Sequence, residues 1–222
     1  MNIAKKVAKE SSITFTGLLY GNLNRYLYTA LLARWVGPEF LGIYSIANSI
    51  MLISEVFAKM GLETGIMRFV SRLNPKVDKE KINLLISSAF KMTAIFSLVI
   101  MIVLIISSGT IIDNYFSAQP ILKSVLIIFA IAIPFNSLTI ISAFATQGFK
   151  RLKYKTIVTQ FLNPTVLLLT MTLCYWFMSK THTIMIPILA TGIIGFIVMV
   201  MVLKKVSGLK NFQIINSQIN YE

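Results

Sequence analysis

Side chains suited to catalysis or metal binding are scarce in this sequence. Its 222 residues hold one histidine (His182), one cysteine (Cys174) and eight carboxylates. A lone cysteine excludes an intrachain disulfide, and inside an apolar run it reads as inert packing. No group of His, Cys, Asp and Glu has the spacing of a metal site. No G-x-x-x-x-G-K-[ST] loop is present, so ATP is not bound in that way. Asp113 has no second carboxylate beside it for paired acid–base work. Charge is also low, at 13% of residues, against roughly 25% in soluble domains.

What fills the chain instead is apolar, with 56% of residues hydrophobic. A water-soluble globule of this size cannot hide that much apolar surface, so the sequence predicts an all-α integral membrane protein. The remaining charge is one-sided: 21 Lys and Arg against 8 Asp and Glu, a net +13. In a soluble protein that excess would suggest nucleic acid. Here the basic residues lie between apolar stretches, so membrane topology accounts for them and no nucleic-acid partner is expected.

A membrane span needs roughly 20 mostly apolar residues. Six stretches qualify and are predicted as transmembrane helices: 13–33, 41–60, 84–107, 121–146, 157–178 and 184–203. They leave no room for a soluble domain. The first is too long for a signal peptide, is interrupted by Asn22, Asn24 and Arg25, and has no small-residue cleavage site after it.

The basic residues then predict an orientation. Lys5, Lys6 and Lys9 precede the first span. Arg68, Arg72, Lys76, Lys79 and Lys81 follow the second, Lys150, Arg151, Lys153 and Lys155 follow the fourth, and Lys204, Lys205 and Lys210 follow the sixth. The opposite side has only Arg34, Lys123 and Lys180. The positive-inside rule puts both termini in the cytoplasm. With an even number of spans, a second such unit fused in tandem would insert in the same orientation, as in parallel-repeat transporters.

Arg25, Lys59 and Lys91 fall within or close to the spans, where a charge costs about 2.5–3.5 kcal/mol on insertion scales. Arg25 lies about 18 Å along the first helix from Ile13. Thr14, Gly17, Gly21, Arg25 and Tyr28 share one stripe, and Gly17 with Gly21 allows close approach of a neighbour. Arg25 therefore either faces a protein cavity, together with its neighbour Asn22, or snorkels outward. In the second span Ser45, Asn48, Leu52, Glu55 and Lys59 share one face. Glu55 precedes Lys59 by four residues, the favourable order for an ion pair. The pair is either structural, or Glu55 is a coupling-ion carboxylate and Lys59 a substrate contact. Lys91, two turns into the third span, either snorkels or contributes to a site. Pro134 in the fourth span, Asn163-Pro164 in the fifth and Pro187 in the sixth predict kinks or hinges, with nearby hydroxyls and amides relieving the freed carbonyls.

Two segments carry a more specific pattern. Arg34-Trp35-Val36-Gly37-Pro38-Glu39-Phe40-Leu41-Gly42-Ile43-Tyr44-Ser45 joins the first two spans, and Gly61-Leu62-Glu63-Thr64-Gly65-Ile66-Met67-Arg68-Phe69-Val70 closes the second. The combination R-x-x-G-P-E-x-x-G-x-Y, then G-L-x-x-G-x-x-R, resembles the polysaccharide biosynthesis flippases, the O-antigen and capsule exporters of the MATE-like superfamily. Gln147-Gly148-Phe149-Lys150-Arg151 is similar to that family's inner turn. Gly37-Pro38 should make a tight outer turn, Gly42 should let the second helix start close to a neighbour, and Gly61 and Gly65 should loosen its inner end.

The resemblance implies a six-helix lobe with its termini in the cytoplasm of a bacterium, set in the cytoplasmic (inner) membrane. Family members have twelve to fourteen spans in two such lobes around a cavity, so the second lobe is expected as a carboxyl-terminal half or another chain. The implied activity is transport, not catalysis: moving an undecaprenyl-diphosphate-linked oligosaccharide between leaflets. Arg25 first, then Lys59 and Lys91, would hold the diphosphate by charge-assisted bonds. Asn22, Asn48 and Glu55 would line the cavity or couple an ion, and Pro134, Asn163 and Pro164 would act as hinges. No cofactor or metal is implied, and a coupling ion would be H+ or Na+. The alternatives are a multidrug cation antiporter of the same superfamily, a truncated non-transporting remnant, and a membrane glycosyltransferase or polymerase, which would need acidic motifs that are missing.

Overall fold

The computed structural model describes residues 3–74, 77–115 and 120–207, and among these it is helical with no strand. Lys76 and Lys210 lie outside the described residues, as do the side chains of Lys5, Lys6, Lys9 and Asp113. Helix α1, Ile3–Leu31, runs into a wider π-helical turn, Leu32–Val36. That turn closes with a 3.2 Å bond from the Gly37 N–H to the Leu32 carbonyl, five residues back. Gly37 has φ 118, a backbone that suits glycine. Pro38 then takes the first turn of α2, Pro38–Lys59, where its missing N–H costs nothing. The expected turn at Gly37-Pro38 forms. The expected close approach at Gly42 does not, since a β-carbon there would meet nothing within 4 Å.

Met60 and Gly61 both take left-handed backbone, φ 47 and 74, and end α2. The next segment is not a loosened end but a short helix, α3, Leu62–Arg72. Its Ile66 and Val70, four residues apart, are buried, while Arg68, Phe69 and Arg72 are exposed. Val70 seats on α5, where a β-carbon at Gly148 would stand 2.8 Å from it.

The remaining helices are α4 (Lys79–Tyr115), α5 (Pro120–Gly148), α6 (Leu152–Thr156), α7 (Asn163–Phe177) and α8 (His182–Ser207). The second π-helical turn, Ile157–Leu162, joins α6 to α7. Five segments are long and apolar enough to cross a membrane: Pro38–Lys59, Lys79–Ile112, Pro120–Gly148, Leu152–Phe177 and His182–Ser207. The first predicted span is not among them. At 29 residues α1 is long enough, but Asn22, Asn24, Arg25 and three tyrosines dilute its hydropathy.

Helix α5 is the axis of the bundle. Leu122, Val125, Phe129 and Ile133 are almost fully enclosed. They share one core with Ile43, Ala47 and Met51 of α2, Ile112 of α4, Met171 of α7, and Ile184 and Ile188 of α8. Pro134 sits buried within an unbroken α5. Thr139 donates to the Phe135 carbonyl at 2.7 Å, and Thr191 of α8 does the same for Pro187 at 2.7 Å.

Helix α1 packs on α6 and α7 and runs parallel to them. The Thr14 hydroxyl lies 3.5 Å from that of Thr156, Tyr20 bonds Thr165 at 2.9 Å, and the Trp35 ring stacks on Tyr175 at 4.9 Å. Gly17 and Gly21 make this closeness possible, because a β-carbon at either would stand 2.5 Å from Thr156 or Gln160.

Candidate functional site

Helices α1 and α2 meet beside their connecting turn, where Tyr28 lies 5.3 Å from Tyr44, ring centre to ring centre. Farther from the turn they part. Gly21 and Gly17 keep α1 on Gln160 and Thr156, while Met51 keeps α2 on Asn136 of α5, 3.9 Å away. The gap is a cavity of about 520 Å³, open on one side. Arg25 and Tyr28 of α1 line it, with Asn48, Met51 and Glu55 of α2 and Asn136 and Thr139 of α5. Thr159 of the π-helical turn, Asn163 and Pro164 of α7, and Thr191 of α8 complete its polar wall. A second hollow, about 610 Å³, lies between α3 and α4 and is mostly apolar.

Each of the two stripes seen in the sequence meets the cavity in part, while Ser45 at the start of the second is exposed and outside the lining. On α1, Gly21 and Tyr28 are buried and Arg25 reaches the cavity. Its guanidinium donates through Nη1 to Asn22 Oδ1 at 3.2 Å and through Nη2 to the Thr159 carbonyl at 3.4 Å. Both acceptors are neutral, so neither supplies a counter-charge. On α2, Asn48, Leu52 and Glu55 line the cavity. Glu55 is 4% exposed, and one of its oxygens lies 4.0 Å from Lys59 Nζ.

The structure brings together Arg25, Asn48, Glu55, Asn163 and Pro164 on one cavity wall. Asn22 is exposed and touches the site only through Arg25. Lys59 faces Glu55 from outside the lining. Lys91 on α4 and Pro134 on α5 are not part of the wall. Among the described residues, no group of three His, Cys, Asp or Glu could hold a metal.

Sequence reasoning missed Asn136, Thr139, Thr159 and Thr191 as wall residues. The available signal was spacing. Asn136 and Thr139 are three apart, and Thr159 and Asn163 four apart, so each pair shares one face of an apolar helix. Glycines on α8 make room for both amides: a β-carbon at Gly192 would stand 3.2 Å from Asn136 Oδ1, and one at Gly195 would stand 2.8 Å from Asn163 Oδ1.

The wall combines hydroxyls and amides with the Arg25 guanidinium and the enclosed Glu55 carboxylate, and apart from α1 it is built on segments long and apolar enough to cross a membrane. Comparison with curated proteins and with solved structures gave no significant match. The family model for polysaccharide biosynthesis protein matches residues 7–220, nearly the whole chain. The chain therefore belongs to the polysaccharide biosynthesis protein family, and its long apolar helices make it a multi-pass membrane protein, consistent with a flippase-type role.

Proposed function

We propose that this chain is one lobe of a flippase that moves an undecaprenyl-diphosphate-linked oligosaccharide across a bacterial cytoplasmic membrane. Arg25 carries the reading. It is the cation on the cavity wall, and its two hydrogen-bond partners bring no negative charge. A diphosphate offers the charge-assisted bonds that a guanidinium makes best. In this reading all six predicted helices cross the bilayer and both termini are cytoplasmic. The open side of the cavity faces a second six-helix lobe. Movement is driven by H+, Na+ or the substrate gradient. Lys59 and Lys91 stand off the wall in this conformation and would reach the diphosphate only as the helices move.

Purified protein in lipid nanodiscs, titrated with undecaprenyl diphosphate, tests the reading. Arg25→Ala should weaken binding about tenfold or more, the usual effect of losing a hydrogen bond to a charged group. Wild-type affinity in a folded Arg25→Ala variant would remove the basis for the proposal.

Glu55 favours a second reading, a cation antiporter. It is the carboxylate on the cavity wall and is almost fully enclosed. Lys59 at 4.0 Å already supplies its counter-charge, which a cationic substrate would have to displace. Uptake of cationic dyes by proteoliposomes separates the two readings.

A further inference from the structure

The acceptor that holds Arg25 Nη2 exists because of an irregularity one turn away. In an α-helix the Thr159 carbonyl would accept from the N–H of residue 163, and in a π-helical turn from that of residue 164. Here the Asn163 N–H goes to the Val158 carbonyl, five residues back. Residue 164 is proline and has no N–H. The Thr159 carbonyl is thus left without either helical donor at the cavity wall. A carbonyl so exposed within a membrane span needs another partner, and Arg25 Nη2 donates to it at 3.4 Å. Asn22 Oδ1 fixes the other guanidinium nitrogen at 3.2 Å.

We propose that Pro164 is a positioning residue for Arg25, acting through the backbone carbonyl of Thr159. It sets where the guanidinium stands and so how well a diphosphate is bound. This rests on the reading of Arg25 as the diphosphate contact. A proline at this position does more than bend α7: by withholding one N–H it converts a helical carbonyl into a side-chain anchor. Gly21, which brings α1 against Gln160, keeps Arg25 within reach of that anchor.

A double-mutant cycle on the nanodisc-embedded protein tests this, with wild type, Pro164→Ala, Arg25→Ala and the double variant titrated with undecaprenyl diphosphate. Alanine restores the N–H that the Thr159 carbonyl lacks. Pro164→Ala should weaken binding about tenfold in the wild-type background and change nothing in the Arg25→Ala background. Binding of undecaprenol, which has the tail but no diphosphate, should be the same in all four proteins. Inorganic pyrophosphate should compete less well against Pro164→Ala than against wild type. If Pro164→Ala is not recovered folded, Pro164→Ser restores the same N–H and makes the same comparison. Wild-type diphosphate affinity in Pro164→Ala, an equal penalty with and without Arg25, or a parallel loss of undecaprenol binding would each overturn the proposal. Wild-type affinity in Arg25→Ala alone would instead remove the reading on which it rests.

Discussion

Gly21 is buried against Gln160 so closely that a β-carbon there would stand 2.5 Å from Gln160 Oε1 and 3.0 Å from its backbone carbonyl oxygen. Rotating the glutamine side chain relieves the first contact but not the second. Gly21→Ala therefore needs α1 or the π-helical turn to give by a few tenths of an ångström, and overpacking of this kind costs about 1–3 kcal/mol. Gly42→Ala is the control, because a β-carbon there meets nothing within 4 Å and alanine favours the helix. In detergent, Gly21→Ala should melt several degrees below wild type and Gly42→Ala at or above it. Equal melting of the two variants would show that α1 does not pack here as described.

Glu55 and Lys59 make a second separable prediction. The carboxylate is 4% exposed, and the ammonium lies 4.0 Å away, one turn along α2. Removing one partner strands the other, which typically costs about 3 kcal/mol for an enclosed pair. Glu55→Gln and Lys59→Met should each lower the melting temperature, and the double variant should recover most of the loss. If the double variant is no better than the worse single one, the pair is not what stabilises this end of α2. The same variants sort the two transport readings. Dye uptake abolished by Glu55→Gln, with diphosphate binding intact, would favour cation antiport.

Much of this fold was legible because the bilayer simplifies the code. A span must satisfy its own backbone, so an apolar run of sufficient length already means a helix. Within such runs, each polar residue stands out against a uniform background. That is why the stripe from Thr14 to Tyr28 and the face from Ser45 to Lys59 stand out in the sequence, although only Asn48, Leu52 and Glu55 of the second line the cavity. Three features were not legible. Helix α3 was hidden because its basic residues read as topology anchors, although Ile66 and Val70 already marked a buried face. The π-helical turn Ile157–Leu162 has no composition of its own. Pro164 announces a disturbance but not whether the helix bends, breaks or widens. The far wall of the cavity depends on which helices pack together. Asn136, Asn163, Gly192 and Gly195 converge only once α5, α7 and α8 are assembled, and no periodicity within one helix contains that information.

The crossing of α1 is open to direct measurement. Its average hydropathy falls short, yet much of its outer surface is apolar. Phe15, Leu19, Leu23 and Tyr26 are exposed on the outside of the bundle, while Gly17, Gly21, Arg25 and Tyr28 face protein or the cavity. Contacts of α1 and the turn after it with Leu152–Phe177 run from Thr14 beside Thr156 to Trp35 on Tyr175. Two parallel helices matched along their length occupy the same depth, so if Leu152–Phe177 crosses the bilayer, α1 crosses with it. Single cysteines in a Cys174→Ser background test this in intact cells with a membrane-impermeant maleimide. Glu39→Cys and Lys180→Cys should label from outside, whereas Glu10→Cys and Lys153→Cys should label only after permeabilisation. Labelling of Glu10→Cys and Glu39→Cys from the same side would mean that α1 lies along the membrane surface. The cavity between α1 and α2 could then not serve as a path through the bilayer.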